Sequence, residues 1–217
     1  MKVRWDKVCK GVLIIGYLCF SLSVPIALAQ EQKTLTYENE AMGVSLTGPE
    51  GWYIAPGDKV QTKISQNIGD ITSFQSVKEA VKKLGILAVF TFYPYGSPVE
   101  FNPSIGLTTE PMPQEYSTVI KTAMDVAVSS IFGIKAMFKD TKIIKEPALI
   151  TLGAREGAHF IYEGTAVRGY LELRIRCSAY MFLKENTVFT LAFTDKADNF
   201  DKNYQAFESS VNTFVLK

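Results

Sequence analysis

The spacing of apolar and polar positions changes several times along the chain, and each change predicts a different element. Leu171, Leu173, Ile175 and Cys177 alternate with Glu172, Arg174, Arg176 and Ser178, which is the two-residue period of a strand with one apolar and one polar face. Strand-like runs at 141–152, 155–167 and 187–194 flank this segment. Short turns at Gly153, Gly157, Gly164-Thr165, Arg168-Gly169 and Glu185-Asn186 join them, so an antiparallel sheet is expected. Residues 86–93, ILAVFTFY, are almost continuously apolar, as in a strand covered on both faces. Residues 34–56 read as two short strands broken at Pro49-Glu50-Gly51.

Three stretches switch to helical spacing. Phe74, Val77, Val81 and Leu84 predict a helix over 73–84 with Gly85 as its C-cap. Ile120, Met124, Ala127 and Ile131 predict one over 114–133, closed by Gly133. Phe200, Tyr204, Phe207 and Val211 predict a closing helix over 199–214. Residues 94–113 carry prolines at 94, 98, 103, 111 and 113 and read as a long loop with at most one edge strand near Ser104–Glu110. The sum is an α+β fold: an α-β-α sandwich of one mainly antiparallel sheet with helices on both faces.

The first 29 residues follow a different logic. Lys2, Arg4, Lys7 and Lys10 precede an apolar run that ends on Ala27-Leu28-Ala29. A basic start, an apolar middle and small residues at the −3 and −1 positions are the pattern of a secretory signal peptide. Residues 1–29 are therefore expected to be removed, leaving one domain over 30–217 in the periplasm or outside the cell. An uncleaved anchor is the alternative, because the run approaches the roughly 20 residues that span a bilayer; membrane contact is expected only through it. Cys19 is not read as a lipidation site, since Gly16-Tyr17-Leu18 lacks the small residue wanted directly before it.

Losing this segment changes the chemistry on offer. The chain holds 23 basic and 22 acidic residues; without the segment's four bases and one acid, 19 and 21 remain, a net charge of −2. That balance gives no footprint for nucleic acid. Cys9 and Cys19 leave as well, so Cys177 has no intramolecular partner for a disulfide. His159 is the chain's one histidine and lies in an apolar strand without a nucleophile-elbow motif. One histidine and one thiol cannot build a four-ligand zinc site. Glu156, Glu163 and Glu172 read as solvated carboxylates. No catalytic residue, metal site or cofactor is expected.

Asp195, Asp198 and Asp201 stand at a strand-to-helix junction. Calcium loops place ligands at every second residue and fix a glycine; spacing of three before an amphipathic helix fits an N-cap instead. Asp198 is expected as that cap, with Asp201 in the first turn. Arg174 and Arg176 project from one strand face beside Glu172, either as an ion-paired surface or as an anion patch.

YENEAMGVSLTGPEGWYI, LITLGAREGAHFIYEG and the closing strand and helix FTLAFTD…NF…Y…F…SSVNTFVL resemble the PsbP/DcrB-like superfamily. The resemblance spans most of 35–217 and is poorest over 56–113. It implies an α-β-α sandwich and a mostly non-enzymatic role, and these are fold positions that do not transfer function. The expected function is an exported binding or assembly module of the cell envelope whose partner is an envelope protein. Its expected surface is Tyr93, Tyr95, Phe101 and Met112, because aromatics and Met on an irregular loop are favoured at interfaces. The alternatives are that these rings fold back on the domain's own sheet, that a small apolar molecule or lipid is carried between the sheet and helix 115–132, or, as a minor reading, hydrolysis.

Overall fold

The computed structural model describes residues 34–56, 60, 84–168 and 171–217. The expected signal segment and most of the helix expected over 73–84 lie outside the described residues. Among those described, ten strands and two α-helices follow in order. β1 (Thr36–Asn39), β2 (Val44–Thr47) and β3 (Tyr53–Pro56) come first. β4 (Gly85–Thr91) and β5 (Ser104–Pro111) lead to a 3-10 turn (Gln114–Tyr116) and α1 (Ala123–Met137). β6 (Lys139–Leu152), β7 (Arg155–Arg168), β8 (Leu171–Lys184) and β9 (Thr187–Lys196) precede α2 (Phe200–Val211) and β10 (Val215–Leu216).

Seven strands form one sheet in the order β3-β4-β5-β9-β8-β7-β6, and β1-β2-β10 form a smaller second sheet. All pairings are antiparallel. The small sheet is a departure from the expected single sheet: the chain's last strand returns to β2, with Leu216 opposite Val44.

The alternation read in β8 divides the core. Leu173, Ile175, Cys177, Ala179 and Met181 cluster with Ala123, Val126, Ala127 and Ile134 of α1. Tyr180 and Phe182, offset by one residue, cluster with Phe200, Phe207 and Val211 of α2 and with Val44, Leu46 and Leu216 of the small sheet. β4 contributes to both, Val89 to the first cluster and Phe90 to the second, as its continuous apolar run requires.

Several expectations are corrected. α1 starts at Ala123, not 114, because a capping box stops it: the Asp125 amide bonds the Thr122 hydroxyl, and the Asp125 carboxylate accepts from the Thr122 amide. The helix also passes through Gly133 and ends near Met137. Gly85 opens β4, and the helix it is expected to close lies outside the described residues. Gly157 and Gly164 sit inside β7 rather than in turns; a Cβ at Gly164 would lie 2.7 Å from Cβ of Phe138, and one at Gly157 2.6 Å from the Phe182 ring. These glycines permit close approach. Residues 104–111 are not an edge strand but the sheet's buried interior, between β4 and β9. Among the described residues no helix is long and apolar enough to cross a membrane.

Candidate functional site

The segment between β4 and β5 is fastened at its base and open at its outer side. Phe92 N–H donates to the Pro103 carbonyl at 2.9 Å. The Asn102 side chain accepts from Tyr93 N–H and donates to the Tyr93 carbonyl, both at 2.9 Å. Two consecutive rings are thereby held where the strand ends. Phe92 meets the buried Trp52 edge to face at 5.7 Å, and Tyr93 meets Phe92 in the same manner at 4.9 Å. The ladder climbs from core to surface, leaving Phe92 39% and Tyr93 41% exposed.

Beside the rings lies an open cleft of about 390 Å³. Phe92, Tyr93, Val99, Glu100, Phe101 and Pro103 form one wall; Asp195, Lys196, Asn199, Lys202 and Asn203, from the β9–α2 junction, form the other. Asp195 is buried, and its carboxylate accepts from the Lys196 amide at 2.6 Å and the Asn203 side chain at 2.7 Å. Burial raises its pKa above the usual carboxylate range, against the pull of these bonds and of the Lys196 and Lys202 charges. Lys196 pairs with Glu100 across the cleft. Lys202 Nζ donates to the Asn199 side-chain Oδ1 at 3.2 Å. Two acids and two bases line the site, so its charges balance internally.

The three junction aspartates separate. Asp195 lines the cleft, and Asp201 meets Arg176 at 3.2 Å. Asp198 is exposed and is not the N-cap: that position belongs to Asn199, which makes no side-chain capping bond. The expected cap is thus corrected, because the helix starts at Phe200 and leaves Asp198 one residue ahead of the cap position. Among the described residues no group of three His, Cys, Asp or Glu is placed to hold a metal.

Of the expected partner surface, Tyr93 stands exposed at the cleft. Phe101 faces the cleft but is 5% exposed and belongs to the α1-side core; Tyr95 and Met112 are half-buried against that core. The expectation of four exposed anchors is corrected, because β5 runs through the sheet's interior and ties down the segments on either side of it. Phe92, Glu100, Lys196, Asn199 and Asn203 were not legible as site residues. One signal was available: consecutive rings at 92 and 93 cannot both point into the same face of a strand.

The arginine face is filled by the protein's own acid. Glu163, buried on β7, accepts from Arg176 Nε at 3.0 Å and from Arg174 Nε at 2.5 Å. Burial raises the Glu163 pKa, but the hydrogen bonds and charges of the two arginines more than offset it and hold the carboxyl below its ordinary value. The ion-paired alternative describes this surface, with Glu163 as partner; Glu172 pairs instead with Lys139 at 2.7 Å. Arg176 also lies 5.3 Å over the Phe200 ring.

His159 is buried and stacks on Tyr180 at 4.1 Å. Lys145 Nζ, which can only donate, sits 3.3 Å from Nδ1, so Nε2 carries the proton toward Ser178 Oγ at 2.8 Å. Burial, then the Lys145 charge, depress its pKa to about 4. Cys177 is buried, and burial pushes its thiol up to about 11. Neither residue lines the cleft, and such a thiol is inert at neutral pH. Near the expected carrier pocket, Met112, Ile120, Val126 and Val188 enclose only about 20 Å³.

No protein-family model and no curated protein sequence matches the chain. Its fold is similar to that of solved structures. The cyanobacterial PsbP (CyanoP) of Synechocystis sp. PCC 6803 aligns at 12% identity and a TM-score of 0.48, over 89% of this chain and 98% of that one. LpqN of Mycobacterium tuberculosis, described as involved in cell envelope biogenesis, aligns at 10% and 0.48, over 88% and 89%. PA94 of Pseudomonas aeruginosa, a protein of unknown function described as a putative regulator, aligns at 11% and 0.47, over 59% and 81%.

Proposed function

We propose that this protein is an exported, non-catalytic binding module of the cell envelope, built as a three-layer α-β-α domain and working through the cleft beside Tyr93. The observation that carries this reading is the ring ladder, which places two large rings about 40% exposed at the rim of a cleft whose floor holds a buried carboxylate. Exposed rings on a braced segment beside convergent polar groups favour recognition. A non-catalytic role is supported by the positions of His159, Ser178 and Cys177, which are buried and lie outside the cleft, so that no imidazole or thiol among the described residues lines it. Export rests on the pattern of residues 1–29. Among the described residues the crevice at the sheet and α1 would hold about one water, which gives the carrier reading little support there.

The test is retention. Immobilised exported protein is expected to hold a component of envelope extract, and a Phe92→Ala/Tyr93→Ala variant, folded by circular dichroism, is expected to lose it. An Arg174→Ala control should retain it. Equal retention by the double variant and wild type would remove the cleft from the function.

A further inference from the structure

We propose that the cleft takes an uncharged saccharide, a short run of sugar units either free or as part of an envelope glycan. The inference rests on the binding-module reading and names the ligand class of the same site. Three features converge. A sugar ring has an apolar C–H face and a rim of hydroxyls, so it needs an aromatic surface next to closely spaced donors and acceptors. Phe92 and Tyr93 supply the first, at the rim rather than in the core. The opposite wall supplies the second. Among the described residues Asn199 Nδ2, Asn203 Oδ1 and the Tyr93 hydroxyl make no hydrogen bond, and Glu100 uses one oxygen for Lys196 while the other is open.

Charge narrows the choice. An anion entering the cleft would meet Glu100 and Asp195; a cation would meet Lys196 and Lys202. Each acid already has a base or amide partner, so a cation would have to break Glu100–Lys196 or the Asp195–Asn203 bond to pair with it, while among the described residues of the cleft an anion would find only Lys202 without an acid partner and both carboxylates beside it. A purely apolar ligand would strand the same groups without water. A neutral, hydroxyl-rich ligand satisfies them and disturbs none. The volume of about 390 Å³ falls within the range of small-ligand sites, and the open mouth leaves a chain free to continue beyond it.

The experiment is calorimetric titration of the purified exported protein with neutral tri- and tetrasaccharides of glucose, mannose, galactose and N-acetylglucosamine, and with uronic-acid oligomers. At least one neutral oligomer is expected to bind, about tenfold more weakly to Tyr93→Ala and to Asn199→Ala, and the uronic-acid oligomers are expected to bind less well. Absence of binding by every neutral oligomer, preference for the charged ones, or binding unchanged in Tyr93→Ala would overturn the proposal. The retention assay separates the two claims. If Phe92→Ala/Tyr93→Ala loses an envelope component that is destroyed by protease and resists periodate, the saccharide is wrong and the binding module stands. If the double variant retains everything, the module reading itself fails.

Discussion

Asp195 and Asp198 are three residues apart, and their environments are opposite. Asp198 is exposed and leaves the cap position to Asn199, so Asp198→Ala should change stability by no more than about 0.5 kcal/mol. Asp195→Ala removes the acceptor for Asn203 and the Lys196 amide and should cost about 1–3 kcal/mol; urea melts of the two variants rank them directly. His159 makes a pH prediction of definite sign. Its pKa is lowered from 6.5 to about 4, so the folded state favours the neutral ring. The stabilisation is complete above pH 6.5 and is lost as pH falls through about 4. A folded His159→Gln variant should therefore show a flatter stability profile over that window, by roughly 2 kcal/mol. Parallel profiles for variant and wild type would remove His159 as the source.

Elements with a strong local period were readable in advance. Strands over 141–194 fell close to their observed bounds because alternation and turn residues are local signals. The α2 stripe of Phe200, Phe207 and Val211 is buried as its spacing requires. β5 was obscured: Pro103 and Pro111 bracket it, and its buried Thr108 and Thr109 look polar in sequence. Its place between β4 and β9 depends on partners far away in the chain. The start of α1 was misplaced because Val119 and Ile120 extend the apolar stripe backward, while Thr122 and Asp125 carry the stop. Thr122→Ala should cost about 1 kcal/mol. Gly164→Ala should cost about 1–3 kcal/mol, because its Cβ would press on Phe138. Chemical denaturation midpoints check both, and a neutral Gly164→Ala would mean that Phe138 yields.

At the scale of the molecule, the sheet's two clusters leave the described chemistry-bearing residues in two places. Polar groups such as His159, Ser178 and Glu163 are buried and spent on bonds within the fold. The residues that gather around an opening come from parts far apart in sequence, the β4–β5 segment and the β9–α2 junction. That separation is why Tyr93 alone was both foreseen and found exposed at the site: exposure of a ring depends on which strand ends beneath it, and the polar wall is assembled by folding. Envelope retention by the Phe92→Ala/Tyr93→Ala protein decides whether the cleft is where the protein works. The folded variant is expected no longer to hold the component retained by wild type; a folded variant that holds it equally well would show that binding lies elsewhere.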